Sequence, residues 1–517
     1  MSVPDKVRAI RCDCARVLEV KGVETPALFF IPERLSIAVE NVPEVRELVK
    51  ELEELARPYS VRLTPVDLPS PWTNPAEAPS GGSITVYRLE SIPDAREFAE
   101  VVSKIRRSGS VRAVTVRDPE WIPVLFYLGF DLFDAALCLR LTLEDRLLLD
   151  DFSTETVETE DREELLRENW TQLQFCLLRL REAIREGTLR ELVESVAARH
   201  PRIAEVLRFC DRKRVIARYV NLNRNTKIAC ATDLSFDRPE VTEWLHRVRR
   251  YEPPDWAEAV VLLPCSARKP YSRSPTHRRI TRITWNFPVD EIIITSPLGA
   301  VPRTLERTFP AAHYDVRVTG EWSREEIERS AVLIEKIVED LPIVCHASYG
   351  YRKVGEELEE RGYDVVYTCR PEGNPASRGA LEELRRTLKD LTEGEPGDLR
   401  EHVPRAVSKF QFGVDVLEDV DYRFDGQRVL IDGERAFSVP PTSGLLTLSQ
   451  LGAELCVSSR VPPVHAEEGT KAEVVDVPED VLPGFHWPVD LGDEIRPCRV
   501  IARPEDVPPD TTVVETR

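Results

Sequence analysis

AVVLLPCS (259–266), EIIITSPLG (291–299), PIVCHASYG (342–350) and DVVYTCRPEGNP (364–375) decide the fold of this chain. Each is a short, nearly unbroken apolar run that stops in a polar loop. Helical patterns, SREEIERSAVLIEKIVEDL (323–341) and RKVGEELEERG (352–362), lie between the later runs. Strands with no polar alternation are covered on both faces, and their alternation with helices predicts a parallel sheet. The central unit, 251–400, therefore reads as a three-layer parallel α/β domain. Such sheets bind ligands beyond the carboxyl ends of their strands. Here those ends carry Cys265, Ser296, His346 and Cys369.

The first run leads into ARKPYSRSPTHRRITR (267–282), which supplies Arg268, Lys269, Arg273, His277, Arg278, Arg279 and Arg282. No acidic residue occurs from Ala259 to Val289, in a chain of net charge −20. Cationic neighbours raise the thiolate fraction of a cysteine. Cys265 is thus a candidate nucleophile, with Lys269 and His277 placed to fold back over it. The same arginines suit phosphate, which they pair with bidentately. The bland alternative is a small buried cysteine beside a solvated loop. A second window, TSPLGAVPRTLERTFPAAHYDV (295–316), carries Ser296, Gly299, Glu306, His313 and Asp315. A histidine and a carboxylate near a thiol suit proton transfer; a tight turn and a capped helix fit the pattern equally well.

At 517 residues the chain exceeds one core, so several domains are expected. No apolar run approaches the roughly 18 residues needed to span a bilayer, and the charged N-terminus lacks a signal-peptide core. A cytoplasmic protein with reduced thiols is the expectation, since the eleven cysteines are odd in number and scattered. Only Cys12 and Cys14 lie close together, and no C-x2-C pair predicts a metal site. No G-x4-G-K-[ST] loop occurs, so neither ATP nor another cofactor is indicated.

Before the central unit, ALFFI (27–31), SITVYRL (83–89) and VRAVTV (111–116) read as strands. Residues 42–56 and 94–109 read as amphipathic helices. Residues 151–163 read as an acidic linker, 164–250 as mostly helical, and His200 as a helix C-terminal residue. Residues 377–395 add a charged helix. Beyond 405, Asp425-Gly426 and Asp432-Gly433 signal hairpins. The domains read 1–250, 251–400, 405–459 and 460–517.

PCSARKPYSRSPTHRR together with TSPLGAVPRTLERTFPAAHYDVRVTGEW resembles the archaeosine synthase family, archaeal paralogues of tRNA-guanine transglycosylase. GFDLFDAALCLR (129–140), REAIREGTLRELVESVAARHPRIAEVLRFCD (181–211) and GLLTLSQLGAEL (444–455) extend the resemblance over most of the chain. It implies a multidomain α/β plus β protein with a reduced TIM-barrel-like N-terminal domain and a degenerate PUA-like module at the C-terminus. It also implies a transferase that adds a nitrogen nucleophile to the nitrile of 7-cyano-7-deazaguanine at position 15 of tRNA. The donor in the family is glutamine or ammonia, or lysine whose adduct a radical-SAM partner cleaves; a homodimer is implied.

On this reading Cys265 forms a thioimidate, with Lys269, His277, His313 and Asp315 managing protons. Ser266, Arg268, Tyr271, Ser274, Arg278, Arg279, Ser296, Gly299 and Glu306 are the substrate and tRNA contacts. The transglycosylase zinc pattern is absent. Phe133-Asp134 is followed by AALCLR rather than a Pro-Thr-Arg run, so Asp134 reads as a structural loop carboxylate. LGDEIRPCRVI (491–501) keeps a PUA-type turn in an acidic setting. The rival readings are base exchange and a tRNA-binding scaffold for a radical-SAM partner.

Overall fold

The computed structural model describes residues 18–20, 23–30, 43–58, 60–62, 84–89, 94–107, 109–316, 321–338, 340–466, 474–507 and 513–516. Cys12 and Cys14 lie outside these residues. The chain divides into two compact units. The first gathers Met1–Asn221, Ala466–Val477 and Val500–Glu515; the second gathers Leu222–His465, Pro478–Arg499 and Thr516–Arg517. Among the described residues no helix is long and apolar enough to cross a membrane.

In the first unit, β1 (Ala27–Phe30), β2 (Ser60–Arg62), β3 (Ile84–Leu89), β4 (Val111–Val116) and β5 (Leu132–Asp134) form a parallel sheet of order β2-β1-β5-β4-β3. Helix α1 (Pro43–Ala56) follows β1 and α2 (Ala95–Ile105) follows β3. Helix α2 buries Ala95, Phe98, Ala99, Val102 and Ile105, one face at helical spacing, and Asp94 caps it by accepting from Arg96 N. Helix α3 (Arg162–Glu186) starts at Asp161, which accepts from Glu163 N and Glu164 N, and ends at Gly187 with φ 74°.

The sequence expectations need two corrections here. The acidic stretch is not a linker: Thr154–Thr156 pairs antiparallel with Arg146–Leu148, and Asp161 is a helix cap. His200 is the N-terminal flank of the helix Pro201–Arg212, whose first position is a proline that needs no N–H partner there. Asp134 Oδ1 accepts from Ala136 N at 2.9 Å, a turn carboxylate as expected.

Arg106 and Arg112, both wholly buried, converge on buried Asp506 at 3.0 and 3.1 Å. Gly109 N donates to Glu505 O at 3.0 Å, tying the same late segment to the turn after α2. Gly129 has φ +107°, and a Cβ there would sit 2.5 Å from Arg106 Nη1, so a side chain is excluded by both conformation and space.

In the second unit, β6 (Ile228–Cys230) pairs parallel with β10 (Tyr314–Val316). The main sheet holds β7 (Ala259–Pro264), β8 (Val289–Thr295), β9 (Gly299–Pro302), β11 (Ile343–Cys345) and β12 (Val365–Tyr367), in the order β9-β8-β7-β11-β12. All pairs are parallel except β8–β9. Every residue of β7 and β8 is buried, Asp290 and Glu291 at the start of β8 included. Helix α4 (Pro275–Thr284) packs with α7 (Arg378–Leu391), and α5 (Arg324–Val338) with α6 (Arg352–Glu360). Strand β9 is an addition to the sequence reading, in which that stretch is turn and helix. Gly299, at φ +72°, turns the chain back along β8.

The expected hairpins form: Arg428–Ile431 pairs antiparallel with Arg423–Phe424 and with Glu434–Ser438, across glycines at positive φ. His486–Asp490 pairs antiparallel with Ile495–Val500 around Gly492. The protein is thus a mixed α/β molecule built on several sheets.

Candidate active site

Strand β7 enters the sheet first, and the chain then builds β8 on one side and β11 on the other. This reversal opens a crevice at the carboxyl ends of β7 and β11. Cys265 is the first residue beyond β7; the loop beyond β11 runs from His346 to Tyr351. Across the crevice Tyr351 Oη lies 2.9 Å from Cys265 Sγ. Cys265 is half-buried, whereas the other described cysteines are buried.

A buried ionic lattice fixes the loop after Cys265. Arg303 Nε meets Glu291 Oε2 of β8 at 2.6 Å, and its Nη1 meets Glu306 Oε2 at 2.8 Å. Glu306 Oε2 also accepts from Ser272 N at 2.9 Å. Arg303 Nη2 donates to His277 Nδ1 at 2.8 Å, and His277 Nε2 donates to Pro264 O at 3.0 Å. The His277 ring is wholly buried and both its nitrogens are engaged. Burial, reinforced by the Arg303 charge, holds its pKa down at about 3. The expectation that His277 activates the thiol is therefore corrected. His277 pins the end of β7, and Glu306 pins the loop backbone rather than facing substrate. Ser274 is likewise local, capping α4 by accepting from His277 N.

Buried aromatic hydroxyls lie near the thiol. Tyr271 Oη and Tyr314 Oη are 2.7 Å apart, and Tyr314 Oη also bonds Thr295 Oγ1. Lys269 Nζ sits 4.0 Å from the centre of the Tyr314 ring, a cation–π contact. Burial holds the Lys269 ammonium below the ordinary lysine pKa, opposed by the charges of Cys265 and Asp315. Trp322 packs edge-on against Tyr351, ring centroids 5.0 Å apart. Gly350 makes this possible, because a Cβ there would lie 2.3 Å from Trp322 Cδ1.

The remaining expected residues fall around this centre. Ser266 Oγ donates to Arg268 O at 2.9 Å. Ser296 Oγ donates to Glu326 Oε1 at 2.7 Å. Asp315 is exposed and paired with Lys227 Nζ at 2.6 Å. His313 stacks on Phe309, its pKa lowered by burial despite a hydrogen bond to the Thr442 backbone. Neither His313 nor Asp315 bonds the thiol. His346 is buried between Thr368 Oγ1 at 2.7 Å and Pro375 O at 2.9 Å, and burial takes its pKa down to about 4. Burial pushes the Cys369 thiol beside it up to about 12.

Arg268, Arg273, Arg278, Arg279 and Arg282 are exposed and have no carboxylate partner among the described residues. Helix α4 explains three of them: it buries His277, Ile280, Thr281, Ile283 and Thr284, which turns Arg278, Arg279 and Arg282 outward. Sequence reasoning missed Tyr351, Tyr314 and Trp322. Tyr351 stands one residue past the run PIVCHASYG, and the other two lie inside the second motif, so chemistry-bearing aromatics at strand ends were the available signal.

Fold and site define a multidomain α/β protein with a cysteine-centred cleft at the switch point of a parallel sheet. A domain of unknown function (DUF5591) matches residues 241–388. The archaeosine synthase of Methanocaldococcus jannaschii is 32% identical over 393 residues, 70% of this chain and 65% of that protein. The archaeosine synthase subunit alpha of Methanosarcina acetivorans is 34% identical over 65% of this chain and 56% of its own length. The archaeosine synthase of Haloferax volcanii is 28% identical over 84% of this chain and 81% of its own length. Archaeal tRNA-guanine(15) transglycosylases match at lower similarity. The chain is a relative of the archaeosine synthases, and it spans 65% and 56% of the length of the first two.

Proposed function

We propose that this chain is a tRNA-modifying enzyme of archaeosine biosynthesis. It adds a nitrogen nucleophile to the nitrile of 7-cyano-7-deazaguanine at position 15 of tRNA. The observation that carries this reading is the Cys265 thiol at the sheet switch point, beside Lys269 and next to arginines with no acidic partner among the described residues, in a chain whose relatives bear the name archaeosine synthase.

A nitrile is a weak electrophile, and covalent catalysis splits its amination into two easier additions. The Cys265 thiolate attacks the nitrile carbon to give a thioimidate. An amine from glutamine, ammonia or lysine then attacks the same carbon and expels the sulfur. Lys269, partly desolvated, is the counter-charge for the thiolate. His313 and Asp315 lie farther along the incoming amine's route. Arg268, Arg278 and Arg279 hold tRNA phosphates, and the target base leaves its stack to reach the thiol.

A radical-SAM partner acting on a lysine adduct and a homodimeric assembly belong to this reading. So do a reduced transglycosylase barrel around the first unit's parallel sheet and a degenerate PUA-like module near the C-terminus.

Mass spectrometry of pre-modified tRNA after incubation with each donor tests the proposal. The expected result is a mass gain with one donor, lost in Cys265→Ala. No gain with any donor, or full gain in Cys265→Ala, sinks it. Incorporation of labelled free base into unmodified tRNA supports base exchange instead.

A further inference from the structure

We propose that Tyr351 is a catalytic residue of this site, the acid that protonates the nitrile nitrogen and the base that then relieves the incoming amine of a proton. The inference rests on the nitrile-addition reading and names the proton carrier that reading lacks.

Few groups around the thiol are placed to act on it. His277 and His346 have both ring nitrogens engaged inside the protein. Asp315 is exposed and paired with Lys227; His313 stacks on Phe309, and its buried Nε2 has no hydrogen-bond partner among the described residues, the thiol included. Lys269 rests on the Tyr314 ring. Tyr351 alone among the described side chains hydrogen-bonds the Cys265 sulfur, at 2.9 Å. The nitrogen of a nitrile is bonded directly to the carbon that sulfur attacks. A donor that reaches the sulfur therefore reaches that nitrogen through a small torsion. The ring is held in place by Trp322, lodged against the bare Cα of Gly350. Burial and the neighbouring thiolate charge push the Tyr351 hydroxyl's pKa up, so it carries its proton at neutral pH.

The cycle balances. The thiolate forms the S–C bond while one C≡N π pair moves to nitrogen and takes the Tyr351 proton, leaving a neutral thioimidate and a tyrosinate. An alkylammonium or ammonium ion gives its proton to that tyrosinate and attacks the carbon as a free amine. The C–S bond breaks, the pair returns to sulfur, and the product leaves as an amidinium. Nothing is oxidised or reduced, and both side chains end as they began.

The experiment compares Tyr351→Phe with Cys265→Ala in the full chain, on tRNA carrying 7-cyano-7-deazaguanine. A positioned acid–base group contributes on the order of 100-fold or more. Tyr351→Phe is therefore expected to lower kcat by roughly 100-fold with KM little changed. It is also expected to move the pH midpoint for iodoacetamide alkylation of Cys265, read by peptide mass mapping, to higher pH, because the thiolate no longer has that donor. Should the phenylalanine variant not fold, 3-fluorotyrosine at 351 replaces it. Its more acidic phenol is expected to move the alkaline limb of the pH–rate profile to lower pH. An inactive Cys265→Ala with wild-type turnover in Tyr351→Phe, or abolished turnover with an unmoved alkylation midpoint, overturns the Tyr351 assignment alone. A fully active Cys265→Ala overturns the reading beneath it.

Discussion

His277 and His346 are wholly buried and neutral, and Asp290 is wholly buried beside the Tyr251 hydroxyl at 2.8 Å. With His402, these residues shape the second unit's response to acid. Unfolded, each histidine takes a proton near pH 6.5; folded, they resist until about 3 and about 4. Acidification through that window therefore favours the unfolded chain by one proton per ring. Asp290 opposes it: burial raises its pKa from 3.8 to about 7, so the folded state holds a proton that the unfolded carboxyl has released. His402 of the same unit is likewise held down at about 4, chiefly by burial, so three rings against one carboxyl leave a net destabilisation of about 2 kcal/mol per pH unit as pH falls from roughly 6 to 4.5. Urea titrations across that range are expected to show this slope, and His346→Asn is expected to flatten it; an unchanged slope in His346→Asn contradicts the assignment. Histidines beside a thiol read naturally as chemistry in a sequence. Whether their nitrogens face a carbonyl or a crevice is decided by Pro264 and Pro375, 13 and 29 residues away, and composition carries no trace of that.

Helix α4 is the element that joins the two halves of the candidate site. Its buried face anchors the loop of Cys265, and its outer face offers Arg278, Arg279 and Arg282 to solvent. Because these side chains have no carboxylate partner among the described residues, replacing all three with Gln is expected to change stability by no more than about 0.5 kcal/mol per site. The slope of log binding constant for tRNA against log salt is expected to become shallower by about 0.7–0.9 for each phosphate that is no longer neutralised. An unchanged slope removes the phosphate role. Strands β7, β8, β11 and β12 were legible because apolar runs and burial coincide in them, whereas the stretch of α4 reads in the sequence as a basic loop and only its Ser-Pro start hints at a helix. Strand β9 was not legible: Gly299-Ala300-Val301-Pro302 is four residues long and pairs antiparallel at the sheet edge. The β6–β10 pair was hidden for another reason, since its partners Ile228 and Tyr314 lie far apart in sequence.

At the scale of the molecule, neither unit is a continuous stretch of chain. The first is completed by Ala466–Val477 and Val500–Glu515, and Asp506 is the buried carboxylate on which Arg106 and Arg112 converge. Removing one partner of a buried ionic cluster leaves uncompensated charge, a destabilisation of about 3–5 kcal/mol. Asp506→Ala is expected to unfold the first unit at correspondingly lower denaturant, with limited proteolysis cutting first within residues 84–221. Cutting confined to the second unit contradicts that placement. The domain order read from the sequence, a linear succession, gave no hint of this return, because one aspartate in a Pro-rich tail looks like any other. The return also sets a clock on synthesis. A ribosome adding roughly 5–20 residues per second takes on the order of 15–60 s to travel from Asn221 to Asp506. For that interval the nascent first unit holds Arg106 and Arg112 before the carboxylate on which they converge has been made.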